Sequence, residues 1–120
     1  MNIKLLLISS ILFLFNISAC KPSVKFDRQK WTYKSKTEFL YRDEMLSDLV
    51  RNQLRTGLQY SQLTQLLGKP DDVNLDEHRV FYEIPIKQEV GPIHGKHLTI
   101  ELTIDSTVAE YQIVEWTKGQ

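Results

Sequence analysis

Apolar residues recur at helical spacing as far as Leu67 and at every second position from Arg79 onward, and this change of period commits the chain to helices followed by a sheet. Val80, Tyr82, Ile84 and Ile86 alternate with Arg79, Phe81, Glu83 and Pro85. Leu98, Ile100, Leu102 and Ile104 alternate with His97, Thr99, Glu101 and Thr103. Successive side chains of a strand point to opposite faces, so both runs read as strands with one buried face. Pro85 has no N–H to give to a ladder, which places the first strand at an edge or frees that position from pairing. Asp105, Ser106 and Thr107 make a tight connection into a third strand, Val108 to Thr117, with Ala109, Tyr111 and Ile113 as its inward set. Val114 and Trp116 fall out of that phase, which calls for a bulge near Ile113 or a second contact surface.

Ahead of the strands, Asp43 is placed to cap a helix, with Glu44 in its positive first turn. Met45, Leu46, Leu49, Val50 and Leu54 form its apolar stripe, Arg51 and Arg55 lie toward its negative end, and Gly57 supplies a left-handed stop. A shorter helix, from about Ser61 to Leu67, turns Leu63, Leu66 and Leu67 to the core and ends at Gly68 and Pro70. Neither helix can bury its stripe alone. The order helix, helix, strand, strand, strand, with short connections except for Lys87 to Gly95, implies an α+β, two-layer fold. Two N-terminal helices pack on a three-stranded antiparallel β-meander. A chain of 120 residues leaves room for one such domain.

The first stretch belongs to no domain. Met1 to Lys4 carry one positive charge, and Leu5 to Phe15 form an apolar run broken only by Ser9 and Ser10. A spanning helix needs about 20 apolar residues, so the run reads as a signal peptide. Ile17, Ser18, Ala19 and Cys20 close it and resemble the lipobox of bacterial lipoproteins, in which small residues precede a cysteine that is lipidated before cleavage. Cys20 is the one cysteine in the chain and has no partner for a disulfide; acylation gives a lone exported thiol a use. The expected division is a lipoprotein signal peptide over 1–19, lipidated Cys20 and a tether over 20–36, and a folded domain over 37–120.

Lys21 to Lys30 is polar and contains Pro22, as a tether would be. About ten such residues reach roughly 30 Å when extended, which keeps the domain near the membrane. Lys21, directly after the cysteine, is not the aspartate that retains enterobacterial lipoproteins in the inner membrane. An outer-membrane address facing the periplasm is therefore expected. With Lys4 gone with the leader, fourteen Lys and Arg stand against fifteen Asp and Glu. Lys21 to Lys69 hold ten basic and five acidic residues, and Pro70 to Gln120 hold four and ten. Two readings stand for this asymmetry: attraction of the basic half to anionic head groups, at about 1 kcal/mol per exposed basic side chain, or ordinary solvated charge.

The segment Gly57-Leu-Gln-Tyr-Ser-Gln-Leu-Thr-Gln-Leu-Leu-Gly68-Lys-Pro70 resembles the pattern of the BamE family of outer-membrane assembly lipoproteins, also called SmpA/OmlA. In that family a glycine after the first helix precedes a short helix ending in Leu-Gly-x-Pro. The resemblance extends through the strand at Tyr82 and the Leu98 to Ile104 strand. It implies two helices on a three-stranded antiparallel sheet, and a non-enzymatic role in outer-membrane protein assembly. The chain departs from the pattern twice. Gln59 stands where the family has Ser or Thr to cap the second helix, so Ser61 is expected to substitute and the helix to start late. The turn after the second strand, Ser106-Thr107, lacks the family's glycine. No partner-binding or lipid-binding residue of the family carries over.

Chemistry-bearing motifs are sparse. His78, His94 and His97 with Asp76 nearby are the one conceivable metal set, but the His94 and His97 spacing straddles a turn and no cysteine remains to close a site. Exposed loop histidines are the expectation, with no metal. The chain has no Gly-x-Ser-x-Gly, no cysteine nucleophile and no glycine-rich phosphate loop. An enzyme is not expected, nor a cofactor, a nucleic acid or a small-molecule substrate. Trp31, Tyr33, Phe39, Leu40 and Tyr41 cluster where a free linker would not need them, and Trp116 lies near the end. Trp and Tyr are enriched at binding hot spots, and a small domain also needs them as core. Core suits Trp31 and surface suits Trp116. Trp31, Tyr33, Tyr41 and Trp116, with Val90 and Ile93 of the Lys87 to Gly95 loop, are the candidate partner-binding residues. The reading that results is a lipid-anchored, periplasm-facing envelope lipoprotein that binds another envelope protein; the alternative is an inhibitor or immunity-type protein that occludes an exported enzyme.

Overall fold

The computed structural model describes residues 24–86 and 93–118. The chain there runs through α1 (Arg28–Thr32), β1 (Lys34–Ser35), β2 (Glu38–Phe39), α2 (Arg42–Asp48), a π-helical turn (Leu49–Gln53), α3 (Tyr60–Leu67), β3 (Asp72–Asn74), β4 (Arg79–Glu83), β5 (Ile93–Leu102) and β6 (Val108–Lys118). β1 and β2 form a small hairpin, and β3-β4-β5-β6 form an antiparallel sheet in that order. The molecule is α+β.

Directly opposed residues share a face of a sheet. Val80 opposes Ile100 and Tyr82 opposes Leu98, all at 2 % exposure or less, so the even-numbered residues of β4 and β5 face the helices. Met45, Leu46, Leu49, Leu54, Leu58, Leu63 and Leu67 meet them from the helical side. Full burial of one such side chain stabilises by about 1.5–3 kcal/mol, and this interface is the core.

The sheet has four strands where three were expected. β3 escapes the alternation because Asp72 and Asn74 are poor strand formers, and pairing of Val73 with Val80 holds it. Its presence makes β4 an interior strand, so Pro85 does not mark an edge; β4 simply ends at Glu83, ahead of it. Ile84 stays buried, and its N–H still donates to the Lys96 carbonyl at 3.0 Å. β5 begins at Ile93 and ends at Leu102, leaving Ile104 89 % exposed in the turn rather than inward. The bulge falls between Glu101 and Leu102, where Leu102 opposes Val108 and Glu101 opposes Glu110, and not near Ile113. That extra residue turns Ala109 outward and Val108 inward. Ile113 opposes Leu98 but lies on the edge strand, 42 % exposed and beyond the reach of the helices.

The helices also differ in detail from expectation. Asp43 lies inside the first turn of α2 rather than capping it, and Tyr41 occupies the N-cap. Leu54 follows Leu49 by a spacing that rotates roughly 140° around an α-helix at about 100° per residue. The wider π turn, closed by Leu54 N–H to the Leu49 carbonyl at 2.9 Å, brings Leu54 back to the buried side. Gly57 takes φ 86, the left-handed conformation its position requires. α3 starts at Tyr60, without delay: Gln59 is its N-cap, and Gln62 reaches back to accept the Gln59 N–H at 3.0 Å.

Folded structure also reaches into the stretch expected as a tether. Asp27 caps α1 through Gln29 and Lys30 N–H groups, and Trp31 within α1 is fully enclosed. Phe26 N–H donates to Asp48 at 2.7 Å, and its ring stands 5.8 Å from that of Trp31. Arg28 reaches the Gln65 carbonyl of α3. Packing therefore starts at Phe26, inside the stretch assigned to the tether. Among the described residues no helix is long and apolar enough to cross a membrane.

Candidate functional site

The odd-numbered residues of β4 and β5 lie on the sheet face turned away from the helices. Phe81 opposes Thr99, Glu83 opposes His97, His97 opposes Val114, and Gly95 opposes Trp116. Phe81 and His97 meet edge to face at 5.5 Å and 84°, the arrangement that ring quadrupoles favour. A Cβ at position 95 would collide with the indole of Trp116, so the ring lies across bare glycine backbone. Trp116 remains 45 % exposed.

This aromatic strip borders an open groove of about 730 Å³ whose lining includes Glu38, Asp72, Phe81, Glu83, His97 and Trp116. Lys96 at its margin is taken by Asp43 at 2.7 Å and Glu115 at 3.6 Å, and Asp71 by Arg42 at 2.6 Å. Among the described residues Glu38, Asp72 and Glu83 have no ion-pair partner. The groove thus combines carboxylates outside any ion pair among the described residues with exposed ring surface.

Behind it stands Arg42, 2 % exposed. Its Nε donates to the Trp31 carbonyl at 2.9 Å, and Nη1 donates to Asp71 Oδ2 at 2.6 Å and to the Glu83 carbonyl at 2.9 Å. Asp71 Oδ2 also accepts the Glu83 N–H at 2.8 Å. The guanidinium lies 3.3 Å from the Phe39 ring centroid and 4.8 Å from that of Trp31. Burial lowers its pKa, opposed by the hydrogen bond to Asp71 and then by the charge of Asp71; a guanidinium stays protonated regardless. This junction fixes both walls of the groove, because Asp71 precedes β3 and Glu83 ends β4. Nearby, Tyr82 OH donates to the Gly68 carbonyl at 2.7 Å, and burial raises its pKa.

The candidate residues do not form one site. Trp31 is enclosed at 0 % exposure and offers no surface to a partner, so it belongs to the core. Its indole N–H is buried without a hydrogen-bond partner among the described residues. Tyr33 and Tyr41 meet at a tilt of 38°, ring centroids 5.8 Å apart, beside Lys30 and line a second, shallow groove of about 380 Å³ with Asp27 and Gln29. Trp116 lies in the first groove. Cys20 and Val90 fall outside the described residues; Ile93 opposes Lys118 in the sheet, and its side chain is not described.

His78 sits in the β3–β4 turn at φ 54, and His97 packs on Phe81. Among the described residues no three His, Cys, Asp or Glu side chains cluster to hold a metal. Phe81, Glu83 and His97 were missed as site residues, although the alternation had already put all three opposite the core. Arg42 carried no signal, since a buried arginine reads like a surface one. The chain matches no family model, no curated protein and no solved structure.

Proposed function

We propose that this chain is a non-enzymatic lipoprotein of the bacterial cell envelope, held to the membrane by a lipid on Cys20, whose α+β domain binds another envelope protein. The observation that carries the reading is the apolar leader ending in Ser18-Ala19-Cys20 with no second cysteine in the chain. In its finer form, α2 and α3 on the β4-β5-β6 meander correspond to a BamE-like core, with α1, the β1–β2 hairpin and β3 as additions. The Gly57 to Pro70 motif supports that correspondence, and a role in outer-membrane protein assembly follows from it by analogy. The half-exposed indole of Trp116 on the sheet face turned away from the helices supports a binding role.

Crosslinking pull-downs from intact cells, run on the wild type beside Cys20→Ala, test anchor and partner together. The wild type incorporates labelled palmitate, sediments with outer membrane and recovers an envelope protein; Cys20→Ala does none of these. Absence of label on the wild type overturns the anchor, and absence of any envelope protein overturns the adaptor role. Recovery of an exported hydrolase that loses activity in the complex replaces the adaptor by the inhibitor reading.

A further inference from the structure

Resting on that reading and extending it, we propose that the sheet face turned away from the helices docks an extended arginine- or lysine-rich segment of the partner protein, running across β4, β5 and β6. The charge of this face complements such a segment. Glu38, Asp72 and Glu83 line the groove without an ion-pair partner among the described residues. Of the cations near it, Arg79 is already held by Glu77 at 2.9 Å and Glu101 at 2.8 Å, and Lys96 by Asp43 at 2.7 Å and Glu115 at 3.6 Å. Glu110, opposite Glu101, adds a further negative charge. Such a face repels anionic head groups, nucleic acid and a second copy of itself, and attracts a polycation.

Ring geometry narrows the cation. Trp116 is braced flat over Gly95, and Phe81 and His97 are locked edge to face, so aromatic surface is presented without the entropy of ordering it. A guanidinium stacks on an indole while its fork meets a carboxylate, and both partners stand in this groove.

The test uses the full chain purified in mild detergent at about 0.15 M salt, where charges separated by more than about 8 Å are largely screened. The probes are three short labelled peptides in which alanine alternates with arginine, glutamate or serine. Binding is read by peptide anisotropy and by tryptophan emission; Trp31 is enclosed, so a change reports Trp116. The arginine peptide binds and shifts the emission, and the other two do not. Replacing Asp72→Asn together with Glu83→Gln weakens binding about tenfold, the loss expected from two partly exposed charge contacts, with the circular dichroism spectrum unchanged. Equal binding of all three peptides, or an unaffected double variant, overturns the proposal. A photo-crosslinker at position 116 in intact cells separates the two readings. If it captures an envelope protein while the arginine peptide fails to bind, the adaptor role stands and the basic-segment inference falls. If crosslinkers at positions 33, 41 and 116 all capture none, the adaptor role falls.

Discussion

At the scale of single residues, Arg42 holds together parts of the chain that are far apart in sequence. Removing it leaves Asp71 as a part-buried carboxylate without its cation, and two carbonyls lose a donor. Arg42→Ala is expected to lose about 3–5 kcal/mol, the usual effect of breaking a buried pair from one side, read as a lower urea midpoint. Arg42→Lys restores only part of it, because an ammonium cannot serve the same fork or stack on Phe39 in the same way. Tyr82 predicts an alkaline effect. Its folded pKa is raised, so its contribution is complete below the ordinary phenol value of about 10 and is lost as pH rises above it. Urea titrations at rising pH should show a shallower decline for Tyr82→Phe than for the wild type. Asp48 acts in the opposite sense: hydrogen bonds from Phe26 N–H and Asn52 lower its pKa, so its contribution is present above the usual carboxylate range and is lost as pH falls through it. None of these three roles was legible in the sequence, because each depends on a partner 22 or more positions away, or on burial that local pattern does not encode.

At the scale of elements, alternation located the middles of β4 and β5 and missed their ends, since strand ends are decided by turns and partners rather than by hydrophobic period. The Thr103 to Thr107 turn shows this: Ser106 adopts φ 63, and its N–H donates to Thr103 at 3.0 Å. A serine in that region is strained, so Ser106→Gly should stabilise by about 0.5–1 kcal/mol, measured as a raised melting temperature. Gly95 presents the converse case. Gly95→Ala forces the Trp116 indole off the backbone, which should destabilise by about 1–3 kcal/mol and red-shift the tryptophan emission as the ring moves into water. Of the two readings of the phase change at Val114 and Trp116, the bulge lies elsewhere, at Glu101 and Leu102, and these two residues lie on the sheet's second, outward face in a stretch of regular pairing.

At the scale of the whole molecule, the folded body begins earlier than composition indicated. A chain truncated to begin at 37 loses Phe26 and Trp31 from the core and the Trp31 carbonyl from Arg42. It should lose at least the 3–5 kcal/mol typical of deleting one buried tryptophan, read as a lower urea midpoint than that of a chain beginning at Val24. The polar composition of Lys21 to Lys30 hid this because one short helix with a single buried tryptophan leaves no periodic trace. The candidate groove was half legible: its strand residues followed from alternation, while Glu38 and Asp72 came to it only through the hairpin and the added strand.

The three-way bond of Arg42 also makes the molecule mechanically lopsided. A pull entering at the N-terminal end meets a single guanidinium that spreads load at once to the segment before β3 and to the end of β4. A pull at Lys118 instead peels an edge strand from β5, pair after pair. Loaded through its first described residues, the body is expected to resist through the hydrogen bonds of Phe26, Arg28 and Arg42, and loaded through its last, to open along the β5–β6 ladder.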